Sequence, residues 1–210
     1  MEESGVILFV TGCPGSGKTG FAERIRERFP FFAISSYDAL KDEYFDRYGF
    51  DSLEERAELN SRSLREYYSL LSSMMEKRMP IITDYPFNRL VHEKDLSALV
   101  TGYSYTAMTI TLYGDCSVLL ERGTKRDRTD SGRNPGHYLT RYHKESWSES
   151  DRIPIQSLEE FTETIERKDY FMRIGRTMAV DVTDFSKVDY EGVFSNISML
   201  LSTQRTQLSH

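Results

Sequence analysis

The 210-residue chain is short of several features that would by themselves announce a function class. Its two cysteines, Cys13 and Cys116, are too few for a disulfide framework, so reduced thiols are expected. No run of 18 apolar residues exists, and Met1-Glu2-Glu3-Ser4 is acidic where a secretory leader would be basic. These two absences favour a cytoplasmic protein with no membrane partner. Positive charge is not in excess: 27 Lys and Arg stand against 33 Asp and Glu, a net charge of −6. That balance disfavours nucleic acid bound over a broad basic face and leaves room only for a short basic groove. Four histidines without ligand spacing argue against a metal held by imidazoles. With no internal repeat and no low-complexity block, the length suits one α/β domain over residues 1–210, with a small helical insertion.

Against this background, Gly12-Cys13-Pro14-Gly15-Ser16-Gly17-Lys18-Thr19 fills the pattern G-x-x-x-x-G-K-[ST] without mismatch. Glycines there let backbone N–H groups turn onto phosphate oxygens. Lys18 reaches the outer phosphates as a point charge, and the Thr19 hydroxyl suits Mg²⁺. The flanks fit as well. Val6-Ile7-Leu8-Phe9-Val10 is a continuous apolar run, as in a strand buried on both faces of a parallel sheet, and residues 21–29 form a helix whose dipole adds to the anion site.

Further strands are expected at residues 31–35, 80–84, 106–112 and 177–182. Apolar or small residues at Ala57, Leu64, Tyr67, Tyr68, Leu71, Met74 and Met75 predict a long amphipathic helix. Asp115 can cap a helix through Leu119, Leu120 and Arg122, and helical patterns return over residues 155–173 and 190–201, with a frayed tail after that. Residues 129–154 are polar, with few aliphatics to bury, and read as a mobile segment over a site. Strands alternating with helices imply a parallel, doubly wound sheet whose ligands sit at the strands' carboxyl ends.

Two acids end strands there. Asp84 suits the water shell of a nucleotide-bound Mg²⁺, or is an ordinary acid at a strand end. Asp38 suits an acceptor hydroxyl's proton, or caps the helix that follows, as Ser36 would. Arg122, Arg126, Arg128 and Arg133 gather after the fourth strand, where guanidinium groups can stabilise a transferred phosphoryl group or merely complement a helix end. Lys41, Arg89, His92, His137 and His143 carry weaker signals, and Trp147 with Tyr67-Tyr68 reads as packing.

Three pieces of the chain resemble the small P-loop kinases, the branch that holds polynucleotide kinases, zeta-type toxin kinases, and gluconate and shikimate kinases. They are the loop from Gly12 to Thr19, the string Ile34-Ser35-Ser36-Tyr37-Asp38-Ala39-Leu40-Lys41-Asp42-Glu43, and Glu121-Arg122 through Arg133-Asn134-Pro135-Gly136-His137. The resemblance implies a three-layer P-loop fold with a five-stranded parallel sheet in the order 2-3-1-4-5, a helical acceptor-side segment over residues 38–78 and a lid over 124–154. It also implies ATP and Mg²⁺ as cofactors, with Lys18 on the phosphates, Thr19 and Asp84 toward the metal, and Asp38 at the acceptor hydroxyl. Arg126, Arg128 or Arg133 would clasp the phosphates. The expected reaction is phosphoryl transfer to a hydroxyl of a small molecule. A polynucleotide 5′-hydroxyl kinase and a nucleotide-dependent switch that acts through a partner are the alternatives. The Arg-Asn-Pro-Gly-His string departs from the named metabolic kinases and leaves the acceptor open.

Overall fold

A computed structural model describes residues 5–130 and 132–207, so the first four residues and the last three of the expected tail lie outside it. Strand β1 (Val6–Gly12) is the axis of the molecule and is buried along its whole length. Val6, Leu8 and Val10 enter one apolar cluster, whereas Ile7 and Phe9 enter another on the opposite face. Burial on both faces is why its sequence is a continuous apolar run and not an alternation.

Strands β2 (Ala33–Ser36), β3 (Ile81–Asp84), β4 (Thr106–Tyr113) and β5 (Arg176–Asp181) complete one five-stranded sheet in the order β2-β3-β1-β4-β5. Every neighbouring pair is parallel, as expected. Helices α1 (Lys18–Arg28), α5 (Cys116–Thr129), α6 (Leu158–Lys168) and α7 (Tyr190–Gln207) contribute to the first cluster through Phe21, Ile25, Leu119, Phe161 and Ile197. Helices α2 (Tyr37–Tyr48), α3 (Leu53–Glu76) and α4 (Arg89–Gly102) contribute to the second through Tyr37, Tyr67, Leu71 and Leu96. The result is three layers, each helix burying one stripe against the sheet.

Helix α3 starts where the Ser52 hydroxyl accepts a hydrogen bond from the Glu55 N–H at 3.2 Å. It buries Leu59, Ser63, Tyr67, Leu71 and Met75, whereas Ala57, expected on that stripe, faces solvent. Helix α4 had no clear periodic signal. Its inward residues are His92 and Leu96, and an exposed Leu90-Val91 blurs the pattern. The helix expected over residues 155–173 is shorter. A reciprocal Ser157–Glu160 capping box starts it at Leu158. It ends at Asp169, which takes φ 44° and pairs with Arg89 at 2.5 Å. Helix α7 runs past the expected end at residue 201 to Gln207.

The largest departure concerns residues 129–154. The described residues of this stretch are not a coreless loop. Leu139 and Tyr142 are buried in a third apolar cluster with Phe45, Phe50 and Leu59, supplied by α2, the turn after it and α3. Phe50 and Tyr142 exchange backbone hydrogen bonds of 2.8 and 2.9 Å, which fixes the segment as a short antiparallel bridge. Few aliphatics suffice because α2 and α3 provide most of the apolar surface.

Candidate active site

The loop between β1 and α1 is held by contacts that exclude side chains. Gly12 takes φ 135° and Gly15 φ 80°. A Cβ on Gly15 would stand 2.0 Å from the Leu119 carbonyl oxygen, and one on Gly12 2.1 Å from that of Leu112. The loop is therefore pressed onto β4 and α5, and both positions need glycine. Helix α1 opens directly from it at Lys18 with no side-chain cap, leaving its first N–H groups for an anion. Lys18 Nζ donates to the carbonyls of Gly12 and Cys13 at 3.2 and 2.9 Å, folding back across the loop it would share with phosphates. Burial lowers its pKa to about 8, partly offset by Asp38. The Ser16 hydroxyl is buried without a partner.

Sheet order sets the next group in place. Because β3 lies between β2 and β1, Asp84 is in register with Val10 on one side and Ser36 on the other. Thr19 donates its hydroxyl hydrogen to Asp84 Oδ2 at 2.7 Å, whereas Asp84 Oδ1 is buried with no partner. Burial, more than any neighbour, raises the Asp84 pKa, and the Thr19 hydrogen bond opposes it. An orphaned carboxylate oxygen beside a hydroxyl is the hard-oxygen pair that Mg²⁺ takes while keeping waters and phosphate oxygens as its other ligands. Among the described residues no cluster of three or more His, Cys, Asp or Glu could hold a metal ion.

Asp38 sits in the first turn of α2 and does not cap it: the cap residue is Ser36, with no side-chain bond to the helix. Its carboxylate pairs with Lys41 at 3.3 Å. Burial by itself would raise the Asp38 pKa, but Lys41, His137, Arg133 and Lys18 together hold it down to about 2. Lys41 is buried and lies 5.4 to 5.9 Å from the ring centres of Tyr37, Phe45 and Tyr85, a cage that fixes the ammonium beside Asp38. His137 packs edge-on against Phe45 and places Nε2 2.5 Å from Asp42 Oδ1. Arg56, from the second turn of α3, donates through Nη2 to the His137 carbonyl at 2.6 Å.

The arginines divide. Arg126 and Arg133 converge on one carboxylate, Asp127, at 3.0 and 2.7 Å. Arg128 is exposed and lines a neighbouring cavity of about 500 Å³ with Leu119, Ile153 and Phe161. Arg122 donates to the carbonyls of Val182 and Thr183 at 2.6 and 2.7 Å and stacks over Phe185, holding the loop after β5. Arg89, His92 and His143 are engaged with Asp169, Tyr68 and Asp51, outside the site. Tyr67 is fully buried, as expected of packing, whereas Trp147 is 40 % exposed.

One cleft of about 820 Å³ is lined by all of these groups: Gly15, Gly17, Lys18 and Thr19 of the loop and α1, Asp84 of β3, Asp38 and Lys41 of α2, Arg56 of α3, and Arg126 and Arg133. No local pattern singles out Arg56 or Asp127, and Lys41 and His137 carry only weak signals in the sequence. Lys41 had a usable signal, its i+3 spacing from Asp38 on a helix that opens at the sheet's carboxyl edge. Arg56 had none, since its reach depends on how α3 turns back after α2.

The chain is similar in fold to a candidate kinase from Chloroflexus aurantiacus, with TM-score 0.74 and 19% identity over 97% of this chain and 100% of that one. It is also similar to a gluconokinase from Sinorhizobium meliloti, with TM-score 0.57 and 17% identity over 97% and 99%. A shikimate kinase from Bacteroides thetaiotaomicron aligns with TM-score 0.52 and 16% identity over 94% and 98%. No curated protein matches the chain in sequence. These likenesses establish the fold of the small P-loop kinases. A family model described as AAA domain matches residues 7–144, from β1 through the segment docked on α2 and α3, and the chain belongs to that family.

Proposed function

We propose that this protein is an ATP- and Mg²⁺-dependent kinase that transfers the γ-phosphoryl group to a hydroxyl of a small molecule. The observation that carries the reading is the single cleft in which a phosphate loop, a metal-suited Thr19–Asp84 pair and an ionised Asp38 face one another. A nucleotide switch working through a partner needs the first two groups but no enclosed space beside Asp38.

In the reaction the acceptor hydroxyl oxygen forms a new bond to the γ-phosphorus as the bond to the β,γ-bridging oxygen breaks, releasing ADP; the hydroxyl proton passes to Asp38 or onward to water. Loop N–H groups and Lys18 hold the phosphates in line. Mg²⁺, held through Thr19 and Asp84, would neutralise phosphate charge. A carboxylate with pKa about 2 is a weak base, so Asp38 serves chiefly to orient the hydroxyl and takes its proton late in a loose transition state. Arg126 and Arg133, held by Asp127, are poised to exchange that carboxylate for phosphoryl oxygens. Residues 124–154 would serve as the lid, since Arg126, Arg133 and His137 from that stretch line the cleft.

The test is transfer of labelled phosphate from ATP to a panel of polyols, hydroxy acids, nucleosides, amino alcohols and 5′-hydroxyl oligonucleotides, with Lys18→Ala as control. Transfer to a small molecule that Lys18→Ala abolishes supports the reading. Efficient labelling of oligonucleotides alone, with binding that weakens steeply as salt rises, replaces the small-molecule acceptor with a polynucleotide end.

A further inference from the structure

The cavity of about 500 Å³ beside the cleft has no part in the reaction proposed above. Its walls come from α5, from residues 137–138 and 152–156, and from Phe161 of α6, and most of its lining is apolar. Ile153 and Ile155 face it without belonging to any of the three apolar clusters, and Ile155 is 51 % exposed. The wall is nonetheless held in place. Ile153 N–H donates to the Tyr138 carbonyl at 2.9 Å, and Arg152 donates to the Asp127 carbonyl at 2.9 Å while stacking over the Tyr138 ring. Small-molecule sites have this character, a largely preformed apolar space with a few polar groups. A cavity of roughly 150 Å³ takes benzene, so this one has room for a pair of fused rings with a substituent.

Charge on the lining is uneven. Arg126 is paired with Asp127, which Arg133 also shares, and Arg152 is paired with Glu149. Arg128 has no ionic partner among the described residues. An unanswered guanidinium therefore borders an apolar space.

We propose that this cavity is a second binding site, for a singly charged aromatic carboxylate whose rings lie against the apolar wall and whose carboxylate pairs with Arg128. The guanidinium fork meets a carboxylate with parallel N–H···O bonds. A doubly charged group is disfavoured by Asp127, which lines the same space. Arg126 lines both the cavity and the cleft, so an acid bound here draws the guanidinium that nucleotide phosphates also need. The acid and the nucleotide then oppose each other, by a factor that is the same read from either ligand. Binding of the acid stands apart from the kinase reading, and only its opposition to nucleotide rests on it.

The probe is naphthoate, which has no hydroxyl to accept phosphate, titrated by calorimetry into the full chain beside its uncharged partner naphthamide. Naphthoate should bind at one site, about tenfold tighter than the amide. Arg128→Gln, at an exposed position, should raise the naphthoate Kd about tenfold and leave that of the amide unmoved. Leu120→Trp fills the space and should abolish binding of both, while Mg²⁺ with a non-hydrolysable ATP analogue binds as before. If that variant fails to fold, Ile155→Asp sets a second carboxylate on the lining at a half-exposed position and should weaken naphthoate by repulsion. The analogue should raise the naphthoate Kd several-fold and then level off, and naphthoate should raise that of the analogue by the same factor. Equal binding of acid and amide, binding of neither, or a naphthoate Kd that these variants leave unchanged overturns the proposal. Complete displacement of naphthoate by the analogue, without levelling, puts the acid in the phosphate loop and overturns it as well. Failure of the kinase reading has a different signature: the analogue does not bind, while the acid and the variants behave as expected.

Discussion

Thr19 and Asp84 stand 65 positions apart in the chain, yet the hydroxyl of one donates to the carboxylate of the other at 2.7 Å. The contact joins the first residues of α1 to the last residue of β3, and it leaves Asp84 Oδ1 buried and free. On the proposed reading, that half-satisfied carboxylate serves a metal ion. Asp84→Asn should therefore raise the Mg²⁺ concentration needed for half-maximal activity several-fold while preserving the fold, since the amide still accepts from Thr19. A Mg²⁺ titration checks this, and an unchanged midpoint counts against the assignment.

Among the described residues, the hydrogen bonds of Lys18 Nζ go to the carbonyls of Gly12 and Cys13 in its own loop. Lys18→Ala is expected to lower phosphoryl transfer by at least roughly 10²-fold, with the melting temperature nearly unchanged, because water can take over both carbonyls. Turnover and thermal unfolding measured on the same preparation separate the two effects.

For Asp38 the pH profile is informative. With a pKa of about 2 it is charged at any pH above about 4, so it should contribute no acid limb to turnover near neutrality. Asp38→Asn should lower kcat on the order of 10²-fold or more and change nucleotide affinity little. In Lys41→Met the largest opposing charge is gone while burial still acts, so the acid limb should move upward in pH. A profile of kcat/KM with an identical limb in that variant would show that Lys41 does not hold Asp38 ionised.

Hydrogen exchange tests the docked segment. Residues 134–142 should be protected without nucleotide, since Tyr142 N–H donates to Phe50 and Leu139 is buried. Further slowing on nucleotide binding should be confined to residues 124–133, where Arg126 and Arg133 exchange partners. Leu139→Ala should cost about 2–5 kcal/mol of stability by opening a cavity in the third cluster. Uniformly fast exchange over 129–154 would restore the picture of a free loop.

His92 supplies a stability switch outside the site. It is buried beside Tyr68, Nδ1 lying 2.9 Å from the hydroxyl, and burial lowers its pKa to about 4. The unfolded chain, with its ordinary histidine, binds more protons between pH about 4 and about 6.5. Stability should hence be level above that window and decline as pH falls through it, by up to roughly 3 kcal/mol. His92→Gln should flatten the decline in melting temperature across that range.

The phosphate loop, the strand that precedes it, the parallel order of alternating strands and helices, Asp84 at a strand end and Asp38 just past one were all legible in the chain as a linear string. Those features are legible because each is local: a glycine pattern, a period, an acid at the close of an apolar run. Tertiary structure alone decided the rest. Helix α4 was hidden because its exposed start carries Leu90 and Val91, and residues 129–154 looked coreless because their apolar partners, Phe45, Phe50 and Leu59, belong to other elements. The separation of the arginines, with Arg126 and Arg133 on Asp127 and Arg128 in the next cavity, follows from which way the end of α5 faces. Arg56 enters the cleft only because α3 folds back after Phe50 and the docked segment brings the His137 carbonyl to it at 2.6 Å. Such placements depend on contacts between residues far apart in the chain, and no local pattern encodes them.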